Sequence, residues 1–519
     1  MYRMHKKLKV IAVVTIMAAF AVCAVSVQAQ ASSVGRPKYV FFFLGDGMAN
    51  SQIQAAEAYL TTLNGGSAKL ATDLLKPANR LTMSKLPVQG MQTTYDAFAL
   101  MTDSASSGTA FACGIKTVSG TVGMDETKTN SVKSVAQLAH EQGRKVGIIS
   151  SVSLDHATPA SYYASAENRG YYNSIASQLA ATGYEFFGGG GFASPTGPAR
   201  AGDTGNNIWD LLDTNGYTVL NDRASIMSLK TTPQSKVVCI NPWLQDSSAM
   251  PYAVDRPLTN LSLAEMTEVA IACLSNNGKK GKGKDEGFFL MVEGGKIDWA
   301  CHANDAVATI GDMLDFDDSV AVAFEFYKKY PKDTLIIVTG DHETGGMTVG
   351  HATTAYTAYY ERLMTQDCSF QYFGDNQWAD HKAAYASGYD YTSPTNLAGN
   401  AEFVTLMQDT FSLAWADLND YQKEKLEDAY DKSMCGSNNN NVSENTFLYS
   451  GYEPIVVTIT HILNERASIG WTSYSHTGVP VPVYAEGAGA WRFAGFYDNT
   501  DIAKAIAAAM RLPSLPVMK

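Results

Sequence analysis

In the stretch KIDWACHAND, Asp298 and His302 stand four residues apart, a spacing that puts both side chains on one face of a helix. A carboxylate and an imidazole placed this way can bind one zinc ion through oxygen and nitrogen at roughly 2.0–2.2 Å. The same spacing also describes an ordinary surface ion pair, so the pair needs company. TGDHETGG supplies it with Asp341 and His342. Neighbours in a strand face opposite ways, so both reach one ion only if the chain turns, which Gly340, Gly345 and Gly346 permit. SYSHTGVPVPVY adds His476 just ahead of an apolar run. A further stretch, LMTDSASSGTAFACG at 100–114, sets serines and small residues behind an acid. By itself it reads as a helix capped at Thr102 whose small residues face a close-packed neighbour.

These residues need a frame that makes them meet. Five short, nearly all-apolar runs, at 38–47, 145–154, 236–241, 287–295 and 334–342, read as buried parallel strands. Helical patterns run over 130–143 and 312–330. Such alternation predicts a three-layer α/β/α sandwich around a mostly parallel, doubly wound sheet, whose sites form beyond the carboxyl ends of the strands. Chemistry should then sit where apolar runs stop, and it does. FFFL stops at Asp46 between two glycines, FFLMV at Glu293, and LIIVTG at Asp341 and His342. Residues 347–475 are aromatic and polar, with a helical stretch over 419–433 and a low-complexity loop at 436–441. They read as an insertion covering the site edge of one domain that spans 32–519. The basic run 279–284 reads as a solvated loop.

The 519 residues, 45% hydrophobic and 17% charged, suffice for a large core. Residues 1–31 read as an export signal, with a basic start, an apolar run from Val10 to Val27, and AQA ending at Ala31. The apolar run is at the short end for a membrane span, so no stable anchor is expected after cleavage, and the product is periplasmic or secreted. Cleavage removes Arg3, Lys6, Lys7 and Lys9 and no acid, which moves the formal charge from −12 to −16. That surface repels nucleic acid. Six cysteines remain, Cys113, Cys239, Cys273, Cys301, Cys368 and Cys435, and disulfides are permitted without the sequence choosing a pairing.

Taken together, FLGDGM, TDSASSGTA, DHATPASYYASAENR, FFLMVEGGKIDWACH, VTGDHETGG and SHTG carry a resemblance. In this order, from residue 44 to 478, they are similar to the alkaline phosphatases, while 347–475 matches poorly. The resemblance implies two Zn²⁺ and one Mg²⁺ per chain. Asp298, His302 and His476 resemble the ligands of one zinc, and Asp46, Asp341 and His342 those of a second, roughly 4 Å away. Glu293, Thr158 and a bridging Asp46 resemble the magnesium site. Arg169 sits where the family grips phosphate with a guanidinium fork. Ser104 matches the nucleophile, facing the zinc pair, with Asp103 beside it. Ser106 and Ser107 are left as structural. The ions, four carboxylates and Arg169 leave a local charge of about +3, enough to hold a phosphate dianion on an acidic protein.

The implied reaction is hydrolysis of small phosphate monoesters to an alcohol and inorganic phosphate through a phosphoserine, in an expected homodimer. Two positions depart from the best-known bacterial form. His156 stands where that form has an acid near magnesium, with Asp155 adjacent, and Trp299 replaces a lysine near the phosphate; both are candidate substrate contacts. His140, His351, His381 and His461 read as structural or surface residues, and Cys301 as a disulfide partner or buried thiol. The rival readings are a phosphodiesterase or sulfatase of the same superfamily and, from another class, a non-catalytic metal or phosphate binder. No C-x-P-x-R motif supports a sulfatase. Glu293 with Arg169 favours the monoester, and a storage protein has no need of Ser104.

Overall fold

The computed structural model describes residues 35–275, 286–393 and 395–519. The targeting segment read over 1–31 and the basic run 279–284 lie outside them. Fourteen strands are described: β1 (Tyr39–Gly45), β2 (Val88–Gln92), β3 (Lys145–Ser150), β4 (Phe186–Gly189), β5 (Thr218–Leu220), β6 (Val237–Ile240), β7 (Phe288–Gly294) and β8 (Thr334–Gly340) come first. The pairs of residues β9 (Glu343–Thr344), β10 (Thr348–Val349), β11 (Ile469–Gly470) and β12 (His476–Thr477) follow, then β13 (Val481–Gly487) and β14 (Gly495–Tyr497). Ten of them form one sheet in the order β14-β2-β13-β8-β1-β7-β3-β4-β6-β5. Within it β13 runs antiparallel to both neighbours, and every other pairing is parallel.

The central strands are apolar throughout because both their faces are covered. Along β1, Tyr39, Phe41 and Phe43 enter one buried cluster with Met313, Phe316 and Val320 of the helix Ala306–Lys329. Val40, Phe42 and Leu44 enter another with Phe111 of the helix Ser104–Cys113 and Ile502 and Ile506 of the helix Thr500–Met510. Each such side chain contributes about 1.5–3 kcal/mol of burial. The three-layer α/β/α sandwich is therefore the observed architecture.

The five apolar runs are β1, β3, β6, β7 and β8. The sequence pattern passes over β2, β4, β5 and β14, and for physical reasons. β4 is Phe-Phe-Gly-Gly inside a glycine run, while β5 and β14 are three residues each and largely exposed. The helix expected over 130–143 is shorter, Val135–Glu141, because Ser134 caps it by accepting from the Gln137 amide. The helix expected over 312–330 starts earlier, at Ala306, where Asp305 accepts from the amides of Val307 and Ala308. Asp103, not Thr102, caps the helix Ser104–Cys113, its carboxylate taking the Ser106 amide at 3.0 Å. The serine run thus begins the helix itself rather than following its cap.

Between β10 and β11 the chain is mainly helical, including Ala401–Phe411, Asp420–Cys435 and Pro454–Ala467. Buried Phe403, Tyr430 and Ile459 from these helices join the first cluster, so this segment thickens one helical layer. All six cysteines are free thiols, five of them buried, and Cys301 is one of the buried ones. Among the described residues no helix is long and apolar enough to cross a membrane.

Candidate metal centre and active site

Register places the inner acids. Gly45 of β1 lies opposite Gly340 of β8 and Gly294 of β7, so Asp46 and Asp341 leave adjacent strands side by side. Glu293 is one residue back on β7, opposite Leu44 on one side and Ser150 on the other. Gly47 turns the chain at φ 74°, where a Cβ would stand 2.9 Å from the Asp298 Cα. Its amide donates to Asp341 Oδ1 at 3.1 Å, as does the His342 amide at 3.0 Å, and the Ser107 hydroxyl donates to Oδ2 at 2.8 Å. His342 Nε2 then lies 3.3 Å from both Asp46 Oδ1 and Asp341 Oδ2, with all three side chains fully buried.

The outer group is assembled from further apart. The helix Lys296–His302 presents Asp298 and His302 on one face, Nε2 to Oδ2 3.3 Å. The ladder of β12 on β9 sets His476 opposite Thr344 and brings His476 Nε2 to 3.6 Å from Asp298 Oδ1 and 3.1 Å from His302 Nε2. Each imidazole uses Nδ1 on a backbone carbonyl at 2.6 Å, His302 on Tyr474 and His476 on Thr102. A carbonyl only accepts, so Nδ1 carries the proton and Nε2 offers its lone pair. Two lone pairs so close together are stable only with a cation or proton between them. The Thr344 hydroxyl donates to Asp298 and reaches His342 Nδ1 at 3.2 Å, linking the two groups.

A third group joins Asp46, His156 and Glu293. In each of the three groups the ligand atoms lie within 4.8 Å of one another, and Asp46 belongs to two of them. Burial, then the Asp341, Asp298 and Glu293 charges, push the Asp46 carboxyl well up. Burial lifts Glu293 to about 8, against the hydrogen bond from Ser150 and the nearby Thr158 hydroxyl, and lifts Asp341 to about 6. So many buried carboxylates ionise together only beside added positive charge. Asp46 Oδ2 and His342 Nε2 are buried without a hydrogen-bond partner, which a cation would explain.

Ser104 opens its helix with Oγ 3.5 Å from Asp46 Oδ1. Beneath it the small residues answer to crowding: a Cβ on Gly108 would lie 2.8 Å from Ser161 Oγ and 3.3 Å from the Thr158 Cα. Arg169 donates from Nη1 to Asp103 Oδ2 at 3.0 Å and places Nη2 3.1 Å from His156 Nε2. Burial pushes Asp103 up, but the Arg169 charge and the Ser106 hydrogen bonds outweigh it and hold the carboxyl at about 2. Trp299 meets the His156 ring edge-on at 5.8 Å. Asp155 points away, accepting from the Ala193 amide at 3.0 Å, so His156 is the one that faces the site.

The structure therefore brings Asp46, Ser104, His156, Thr158, Arg169, Glu293, Asp298, Trp299, His302, Asp341, His342 and His476 to one end of the sheet. The four histidines set aside in the sequence join none of the three groups. Ser107, left as structural, positions Asp341 through its hydroxyl. Ser150, which donates to Glu293 Oε2, and Thr344 escaped notice as well, since a hydroxyl carries no signal until its partner is known.

A family model described as alkaline phosphatase matches residues 37–512. Among known proteins, Alkaline phosphatase 3 of Bacillus subtilis is 30% identical over 488 residues, 91% of this chain and 89% of the relative. The repressible alkaline phosphatase of Saccharomyces cerevisiae is 26% identical over 502 residues, 91% of this chain and 81% of that protein. The solved alkaline phosphatase of Thermus thermophilus is similar with a TM-score of 0.69 and 26% identity, covering 93% of each chain. That of the Antarctic bacterium TAB5 gives 0.59 and 25%, covering 92% of this chain and 98% of its own. The chain belongs to the alkaline phosphatase family.

Proposed function

We infer that this protein hydrolyses phosphate monoesters by transferring the phosphoryl group first to Ser104 and then to water. The observation that carries the reading is the position of Ser104 Oγ, at a helix N-terminus beside the acid shared by two of the three ligand groups. The donor sets fit the ions. Nitrogen-rich Asp298, His302 and His476 would hold one zinc, and Asp46, Asp341 and His342 a second. Glu293, Thr158 and Asp46, with His156 at hand, would hold magnesium. Two TAB5 variants with a histidine replaced by an acidic residue hold magnesium in a site termed M3, which supports a third site in the family. When bound, such ions supply the positive charge that offsets negative charge developing on the attacking and departing oxygens.

The chain's own residues do the rest. Arg169, fixed by Asp103, offers its fork to two phosphate oxygens, and the helix start aims its free amides the same way. Ser104 Oγ bonds to phosphorus as the bond to the ester oxygen breaks, and that oxygen leaves as the alcohol. Water then attacks the phosphoserine, restores the hydroxyl and releases inorganic phosphate. Export with loss of residues 1–31, one catalytic domain over 32–519 and a homodimer belong to the same proposal, and rest on the sequence pattern and the family resemblance.

The test compares p-nitrophenyl phosphate with bis-p-nitrophenyl phosphate on zinc- and magnesium-loaded protein. The monoester is expected to turn over far faster, with a loss of about 10³-fold or more in Ser104→Ala. A faster diester reaction moves the protein to the phosphodiesterases. No turnover by a fully loaded protein makes it a binder.

A further inference from the structure

A cavity of about 750 Å³ opens beside the outer group, with His302 and Trp299 on its wall. That is ample for a small organic molecule. Its character differs from that of the metal centre, because rings make most of it. Trp243, Tyr252 and Trp299 come from the segments after β6 and β7, and Phe370, Tyr372 and Tyr452 from the segment between β10 and β11. The rings brace one another. Phe370 meets Tyr252 at 5.7 Å and Tyr452 at 6.0 Å, both edge to face. From behind, the buried Lys296 ammonium sits 3.6 Å from the Tyr252 centroid and 4.8 Å from that of Trp299, holding two walls at once. Asp246 and Asp375 stand exposed at the rim, and among the described residues no lysine or arginine lines the cavity.

We propose that this cavity receives the alcohol portion of the substrate and selects monoesters whose alcohol carries a neutral planar ring, nucleoside 5′-monophosphates above all. The proposal rests on the phosphomonoesterase reading. Continuity is its first support: His302 belongs to both the outer group and the wall, so an ester oxygen departing there carries its alcohol into the cavity. The second is stacking surface, which every nucleobase can use. The third is the rim. Its two carboxylates disfavour alcohols bearing a second phosphate or a carboxylate, while the Gln371 and Asn376 amides can bond the edge of a base. Half of the aromatic wall lies in the segment between β10 and β11, which holds none of the motifs that carry the family resemblance, so selectivity would be this chain's own.

The decisive comparison is adenosine 5′-monophosphate against ribose 5-phosphate on the metal-loaded full chain. Both release a primary alcohol from the same sugar position and differ by the base alone. The nucleotide is expected to have a kcat/KM about tenfold higher. Tyr372→Ala should bring that ratio towards one, and Tyr372→Phe should keep it. Equal kcat/KM for the two esters in the unmodified protein overturns the proposal and leaves the phosphatase reading intact. If neither ester is hydrolysed, the phosphatase reading fails and binding decides. Quenching of tryptophan fluorescence by the nucleotide, at concentrations where ribose 5-phosphate has no effect, then upholds the cavity as a ring site; identical responses overturn it. Asp375→Lys should raise turnover of 3-phosphoglycerate relative to glycerol 3-phosphate, and an unchanged ratio overturns the role given to the rim.

Discussion

The inner and outer ligand groups are built in different ways. Asp46, Asp341 and His342 are fully buried and hang from two adjacent strands whose register alone sets them side by side. Asp298, His302 and His476 come from one helix and one two-residue ladder, and the side chains of His302 and His476 remain 27% and 14% exposed. Charge divides them too. The outer acid faces two imidazoles, and the charge and hydrogen bond of His302 outweigh burial to hold Asp298 well below the carboxylate range. The inner acids face one another, and burial with mutual repulsion drives them up. The outer acid stands among imidazoles, whereas the inner acids repel one another and depend on added cations. Rigidity and need for charge therefore coincide at the strand ends, and access to water falls to the outer pair.

The largest expected effect breaks this comparison at the shared acid. Asp46→Asn removes a ligand from two groups at once and should lower kcat/KM by about 10³-fold or more, a loss that excess zinc does not restore. His476→Gln touches only the exposed group. It should cost one ion per chain, with activity recovering in part as zinc is raised. Metal analysis after dialysis, paired with turnover across a zinc titration, distinguishes the two. Equal metal loss and equal failure of rescue in both variants would mean that the groups are not separable.

The same division explains what the sequence disclosed. Asp46, Glu293 and Asp341 were legible because a parallel strand buried on both faces is an apolar run, and its end is visible as the first charge. Asp298 and His302 were legible through helical spacing. The meeting of His476 with them was not, since a two-residue ladder leaves no pattern, and only the family resemblance supplied it. Ser107, Ser150 and Thr344 each hold a carboxylate, yet serine and threonine serve equally as caps and packing residues, so type and spacing do not reveal them. The rings of the cavity come from segments that share no motif, and their convergence is a property of the fold alone.

A pH profile of stability sharpens the charge contrast. In protein stripped by a chelator, unfolded carboxyls ionise near pH 4–4.5, while folded Asp341 and Glu293 keep their protons up to about 6 and about 8. Across that window the native state binds more protons than the unfolded chain. The stability these two groups contribute is complete below pH 4 and is lost as pH rises through about 6 and about 8. Thermal unfolding of the stripped protein should therefore move to lower temperature between pH 5 and 8, and metal-loaded protein should not follow. Glu293→Gln should remove the part of the fall that extends towards pH 8. A flat profile in stripped protein would show that the inner acids share their protons more easily than their burial allows.

The smallest effect is reserved for the third ligand group, where an imidazole, His156, joins two acids. His156 is buried, and burial, then the Arg169 charge, hold it neutral at about 3, so it adds no negative charge to Asp46 and Glu293. A hard divalent ion prefers oxygen to nitrogen. His156→Asp therefore exchanges a neutral nitrogen for a charged oxygen in the same group and should tighten magnesium roughly tenfold, lowering the concentration that gives half-maximal activity. It also puts a carboxylate beside Arg169, whose Nη2 now faces His156. That new attraction competes with phosphate for the guanidinium, so KM should rise as magnesium affinity improves. A magnesium titration that does not move, with KM unchanged, would place His156 outside both the ion's reach and the substrate's, and would leave Asp46 and Glu293 to hold the third ion without it.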